Sequence, residues 1–301
     1  MQRRVIAGIV AGVAVVAIGA GIAAWTLTRP PSADDVADRY LRALSNGDFA
    51  AIAPLLPESV DAGHLETAFA GATGHLTDYT VTLTGDGDAV SARADVLLGG
   101  ADGVVVFGLA RTDDGWTLAQ DFLASLEVST TLGDSVLVGD ALAPADEPIA
   151  LLPAVYPVSA APAGILEGDI EVTATNDEPV TAALDPTLAP SATDIAQRRL
   201  DDYAAQCTAP AATIPERCGL RAPWAADLRT LDAVAFRVET LPSLRIADDG
   251  RSFAATGGAV VATVTGTTRA GSAASFTYRS EDWSMYGTVR FEGEQMVLLV
   301  D

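Results

Sequence analysis

The sequence predicts an α+β fold class: an N-terminal transmembrane helix, then an α+β domain, a small β-sandwich domain and a second α+β domain. Three observations carry that reading. An uncharged run extends from Val5 to Leu27, a capped helix near residue 32 recurs near residue 191, and hydropathy alternates with a period of two after each helix. The boundaries that follow are 1–4 for a cytoplasmic stub and 5–27 for a transmembrane signal anchor. The three domains then occupy 32–124, 125–185 and 190–301.

Composition narrows the chemistry. The 301 residues carry 18 basic and 40 acidic side chains, a net charge of −22, and all 18 basic residues are Arg. Without Lys there is no Schiff base, no pyridoxal-phosphate attachment and no Walker-type phosphate loop. So acidic a chain has too little positive charge to neutralise a run of phosphates, so nucleic acid is not expected as a partner. Two His and two Cys are too few for a zinc site of the usual kind. No cofactor and no metal are expected.

The run from Val5 to Leu27 follows Arg3-Arg4 and closes at Arg29-Pro30-Pro31. About 20 apolar residues span a bilayer core of about 30 Å, and only a helix satisfies its own backbone there. Arg3 and Arg4 keep the short end cytoplasmic and put the bulk of the chain outside, with Trp25 at interfacial depth. The run is too long for a cleaved signal peptide, and Ile22-Ala23-Ala24 makes a poor cleavage site. No Cys follows for lipid attachment. Gly8 and Gly12 have the spacing of paired membrane helices, a match that a Gly- and Ala-rich run supplies almost freely. The lipid bilayer is therefore the first expected partner. Outside it the charge is −24, once Arg3 and Arg4 are set aside, and this acidity reads as solubility.

Pro31–Leu41 recurs as Pro190–Leu200 with seven of eleven positions identical. Ser32 and Ser191 are placed as N-caps, with Asp35 and Asp194 closing capping boxes. Asp35–Arg39 and Asp194–Arg198 are spaced as i,i+4 ion pairs. Ala37, Leu41 and Leu44 form one apolar stripe; Ala196, Leu200 and Tyr203 form the other. A second echo pairs Phe107-Gly108-Leu-Ala-Arg111 with Tyr286-Gly287-Thr-Val-Arg290. Together the echoes indicate an internal repeat whose second copy is about 20 residues longer.

In the first copy the helix is followed by helical pieces at Phe49–Leu56 and Gly63–Phe69. Strands then run from Tyr79, over Ala89–Leu98 and Val104–Arg111, and from Trp116 after an Asp-Asp-Gly turn. The middle segment shows strands at Leu126–Ser129, Ser135–Gly139 and Ile165–Ala174, with the apolar stretch Ile149–Val158 following an acidic loop. The second copy shows one helix, then strands at Leu231–Val238, Leu244–Ala247, Ser252–Ala255, Ala259–Thr265 and Ser275–Tyr278, with two more at the end. Helices followed by antiparallel strands define each copy as α+β.

A long helix broken at Asn46-Gly47-Asp48 and followed by a bent sheet resembles the nuclear transport factor two-like superfamily. That resemblance implies a cone-like domain whose sheet curls round a pocket; members include enzymes, binding modules and spacers. The middle segment has the order strand, Val136-Leu-Val-Gly139 turn, then Leu152-Pro-x-x-Tyr156-x-Val158. It looks like the small sandwiches of PEGA-type modules and of teicoplanin-resistance-associated membrane proteins, although Ala154 stands where those have Gly. The latter proteins also join a membrane helix to nuclear transport factor two-like domains.

Cys207 and Cys218 are the only cysteines. Outside a membrane such a pair persists as a disulfide, and the spacing is not that of a Cys-x-x-Cys redox motif. The loop between them, which holds Pro210 and Pro215, is read as the source of much of the second copy's extra length. Gly133-Asp134-Ser135-Val136 matches an esterase nucleophile block, but both histidines, His64 and His75, precede it, and the segment reads as a turn. Gly71 and Gly74 break any helix that would align the two histidines. The Asp/Gly clusters at 86–88, 113–115 and 248–250 read as hairpin turns.

The expectation is a membrane-anchored cell-envelope protein, extracellular in bulk, acting as a non-enzymatic scaffold or ligand- or peptide-sensing module for an envelope partner. No catalytic residue is assigned. The alternative is an isomerase- or hydratase-like enzyme using the first cone's pocket, with Tyr40, His64, Asp78 and Tyr79 as available groups.

Overall fold

The computed structural model describes residues 31–113, 115–119 and 121–301. The stub and the signal anchor expected at 1–4 and 5–27 lie outside the described residues. Among the described residues no helix is long and apolar enough to cross a membrane. The fold is mixed α+β, rich in strands. Two compact units form: one from the segment ending at Ala62 together with His75–Leu123, the other from Gly63–Gly74 with Ala124–Asp301.

The first unit starts with helix α1, Ala33–Asn46. Its capping box is complete: the Asp35 amide donates to Ser32 Oγ at 3.2 Å and the Ser32 amide donates to Asp35 Oδ2 at 2.9 Å. The ion pair on this helix joins Asp38 to Arg42, one turn beyond the expected Asp35–Arg39. Gly47 ends the helix with φ 65° and donates to the Ala43 and Leu44 carbonyls, a conformation that costs Gly little. Asp48 then caps α2, Phe49–Ile52, which leads into a 3-10 turn over Ala53–Leu55.

Four strands follow: β1 (Leu76–Thr84), β2 (Ala89–Leu98), β3 (Ala101–Thr112) and β4 (Gly115–Leu118). They pair antiparallel in sequence order. α1 lies against β1 and β4 and buries Val36, Tyr40, Leu41 and Leu44. From the sheet side come Ala92, Ala94, Val105, Phe107, Leu109 and Leu118, with the Tyr40 and Phe107 rings edge to face at 4.9 Å.

The second unit takes in most of α3 (Ala62–Ala70) and a sandwich. The sandwich strands are β5 (Ala124–Thr130), β6 (Ser135–Val138), β7 (Ala141–Pro144), β8 (Pro148–Leu151) and β9 (Ala154–Ala160). After the short β10 (Leu166–Glu167) come β11 (Asp169–Ala174), β12 (Val180–Leu184) and β13 (Thr187–Leu188). One sheet has the order β11-β9-β6-β7 and another β12-β5-β8, with β12 parallel to β5. The stretch Ile149–Val158 is thus two strands in two sheets, because the chain turns at Leu152-Pro153. α3 docks tightly on the β6–β7 turn: a Cβ on Gly139 would lie 2.4 Å from the Ala68 carbonyl oxygen.

Helix α4, Ala192–Cys207, opens the second copy. Its expected capping box does not form. Ser191 is already helical in backbone, and its hydroxyl donates to the Gly164 carbonyl at 2.6 Å instead, tying the helix start to the sandwich. Five strands follow: β14 (Leu228–Thr240), β15 (Ser243–Ile246), β16 (Ser252–Thr268), β17 (Ala273–Glu292) and β18 (Gln295–Val300). The segments expected at Ser252–Ala255 and Ala259–Thr265 are one strand with a bulge near Gly257-Gly258.

Strand pairing shows what repeats. β15-β16-β17-β18 reproduces β1-β2-β3-β4, with α4 against β15 and β18 as α1 is against β1 and β4. Val81 pairs with Ala94 and Leu83 with Ala92; Leu244 pairs with Ala255 and Ile246 with Phe253. Phe107 stands opposite Ala92, as Gly287 stands opposite Phe253. Phe107 therefore matches Gly287, not Tyr286. The sequence echo is one residue out of phase, so Phe107 is 2% exposed and Tyr286 is 53% exposed.

The extra length also lies elsewhere than expected. From Leu41 to Val81 is 40 positions, and from Leu200 to Leu244 is 44. From Ala92 to Phe107 is 15, whereas from Phe253 to Gly287 is 34. The β16–β17 hairpin is extended into an arm, and β14 pairs only with the outer half of β16.

Candidate functional site: a disulfide-bound cleft

α4 ends at Cys207, and the loop beyond it returns to Cys218, where the two sulfurs are bonded at 1.98 Å with Cα atoms 5.7 Å apart. Both cysteines are buried, and the loop covers the arm. Ala211 bridges to Val234, and the Trp283 indole nitrogen donates to the Cys218 carbonyl at 2.8 Å. Tyr203 donates to the Arg217 carbonyl at 3.1 Å, and Arg269 to the Ala225 carbonyl at 2.9 Å. Tyr278 donates to Asp227 at 2.6 Å; that hydrogen bond, with burial and the carboxylate's charge, pushes its phenol up to about 12. Among the described residues Trp283 is the largest fully buried side chain, so the loop is seated on an apolar anchor as well as a covalent one.

Immediately after Cys218, Gly219 lies on the backbone of β17: its φ is +62°, and an added Cβ would stand 2.0 Å from the Ser284 carbonyl oxygen. This contact makes one wall of a cleft of about 510 Å³. Met285 and Val300 are apolar lining, Arg221, Asp282 and Asp301 supply charge, and Tyr286 presents its ring. Ser280 donates to Asp282 Oδ1 at 2.5 Å and fixes that carboxylate. A flat aromatic face beside one guanidinium and two carboxylates suits a ligand with an apolar face and several hydrogen-bonding groups. Sequence reasoning placed the disulfide but missed this cleft. The signal for it was Asp282-Trp-Ser-Met-Tyr286, a run that sets two aromatics and a Met directly after an acidic pair.

The groups available to the enzymatic alternative are not gathered. Tyr40 is buried, its hydroxyl donating to the Phe122 carbonyl at 3.3 Å, while Tyr79 donates to Asp38 at 2.8 Å. Burial and Asp38 raise the Tyr79 phenol above its ordinary value. Asp78 is exposed on β1, and His64 lies on α3 in the other unit. His75 packs on the helix-ending Gly47, and burial holds it below the usual 6.5. A groove of about 610 Å³ in the first unit is lined by Pro57, Val60, Leu118, Phe122 and Leu123 with Ser59, Ala119 and Asp121.

Gly133 and Asp134 lead into β6, which already contains Ser135 and Val136, and this corner bonds to the second copy. Asp134 accepts from the Gly293 amide at 2.9 Å and from Ser135 Oγ at 2.7 Å, and these bonds hold its carboxyl below the usual range. Arg251 reaches the Thr131 carbonyl from the other side at 2.9 Å. The hydroxyl expected of a nucleophile is thus spent on its neighbour. Among the described residues no group of three His, Cys, Asp or Glu gathers to hold a metal. No family model, no curated protein and no solved structure matches this chain.

Proposed function

We propose that the chain is a membrane-anchored cell-envelope protein whose bulk lies outside the membrane, where it serves as a non-enzymatic scaffold or ligand- and peptide-sensing module. The observation that supports this most is the Cys207–Cys218 disulfide beside the Tyr286 cleft. Disulfides persist in oxidising compartments, and this one holds a loop that forms a wall of the cleft rather than lying remote from it. The anchor is the uncharged run from Val5 to Leu27, and the resemblance to teicoplanin-resistance-associated membrane proteins points to the same arrangement.

Two measurements on the full-length chain test the reading. A membrane-impermeant maleimide applied to intact cells should label neither cysteine before reduction and both after it. Free thiols without reduction, or labelling only after lysis, would overturn the location. A photoreactive side chain at Tyr286 should cross-link an envelope component, and Asp282→Ala should abolish the product while leaving the thermal transition in place. An equal yield from a probe at the remote Thr181 would overturn the cleft as the binding site.

A further inference from the structure

A strand at the edge of a sheet presents unpaired N–H and C=O groups, and proteins usually block that row. At several edges of this molecule the blocks are visible. β4, β7, β8 and β15 have four residues each, and β7 and β8 carry Pro144 and Pro148. β11 turns Asp169 and Glu171 outward, and β14 is interrupted by three register shifts. α4 guards the remaining edges of the second copy: Gln197 accepts from the Leu244 amide of β15 at 2.7 Å, and Arg199 donates to the Met296 carbonyl of β18.

β1 corresponds to β15, yet it has no such guard. Asp38 of α1 stands where Gln197 stands in α4, and it is engaged by Tyr79 and Arg42 instead. From Asp78 to Thr84 the strand is regular, seven residues long and free of Pro, with Thr80, Thr82 and Thr84 exposed. Among the described residues, the hydrogen bonds of this stretch go to β2 and Asp38, and none reaches the outer backbone edge.

We propose that this edge pairs with itself, joining two copies of the chain antiparallel through Asp78–Thr84. Charge selects the occupant. Two chains of net charge −22 repel almost everywhere, so contact between copies needs a neutral strip, and Asp78 is the one charge on β1. A two-fold axis at Val81, the midpoint of the regular stretch, sets Asp78 opposite Thr84 of the second copy. It also sets Tyr79 opposite Leu83 and Thr80 opposite Thr82, with no like charges facing. An axis at Thr82 would oppose Asp78 to Asp86, so Val81 is the favoured centre. The two sheets then join into one of eight strands, with both α1 helices on the same face.

The full-length protein in detergent should sediment as a dimer. Thr80→Lys with Thr82→Lys puts the new ammonium groups opposite one another twice and should raise the dimer dissociation constant about tenfold or more. Since the described residues include no free cysteine, register can be read independently. Val81→Cys should give an intermolecular disulfide on mild oxidation. Thr84→Cys should not, its counterpart lying about 20 Å away at roughly 3.4 Å per residue. A monomeric wild type, a dimer indifferent to the two lysine substitutions, or equal linking at Val81→Cys and Thr84→Cys overturns the proposal.

Discussion

α1 fills the first sheet with Val36, Tyr40, Leu41 and Leu44, whereas α4 offers Ala192, Ala196, Leu200 and Ala204 to the second. The two helices share seven of eleven residues at their starts and the same position against their sheets, yet one buries large side chains and the other chiefly Ala. The second half makes up the difference outside its helix. A disulfide-closed loop, seated on Trp283, covers an arm that the first half does not have. The comparison teaches that a repeated strand order constrains topology but not the source of stability. One copy draws on helix burial, the other on a cross-linked loop.

The largest effect should come from removing the loop's seat. Trp283→Ala should cost about 3–5 kcal/mol, the range for deleting a buried aromatic. Urea unfolding followed by circular dichroism should show the second unit melting first; an unchanged midpoint would mean that the loop is not held there. Next comes the covalent link. Cys207→Ser with Cys218→Ser should destabilise by about 3 kcal/mol, as expected for freeing a loop of this length. The first unit's transition should stay in place, so movement of both would deny that the halves are stabilised separately.

A smaller difference separates the helix starts. Ser32→Ala removes a working capping box and should cost about 1 kcal/mol, and Asp35→Ala should lower stability as well. Asp194→Ala should be nearly neutral, because Ser191 bonds to Gly164 and no box exists. Matching losses at Asp35 and Asp194 in thermal melts would restore the symmetry that the structure denies. The smallest effect is pH-dependent. Because His75 has a folded pKa below 6.5, the unfolded chain takes up the proton first. Its stabilising contribution is complete above about pH 6.5 and is lost as pH falls through that value toward the folded pKa. His75→Gln should therefore shrink the loss of Tm between pH 7.5 and 5.5.

Much of this protein is local. Amphipathic helices at Ala33–Asn46 and Ala192–Cys207 follow from spacing alone, as do alternating strands such as Ala89–Leu98 and the Asp/Gly turns that join them. Each depends on neighbours within a few positions, which is why the α+β class was legible. The functions of individual polar groups were not. The Ser191 hydroxyl had two outlets, its own helix and the Gly164 carbonyl 27 positions earlier, and only packing against the sandwich chose between them. Phe107 and Tyr286 looked equivalent because sequence similarity does not register a one-residue change of phase, while a sheet reverses its faces on every such step. The cleft beside the disulfide required β17, β18 and the loop after Cys218 to converge. By itself the sequence determined the two main helices, most of the alternating strands and the acidic, lysine-free character of the chain. Tertiary structure alone decided which faces are buried, where the second copy's extra length goes and that the edge of β1 lacks the guard β15 has, because all three depend on contacts between segments far apart in the chain.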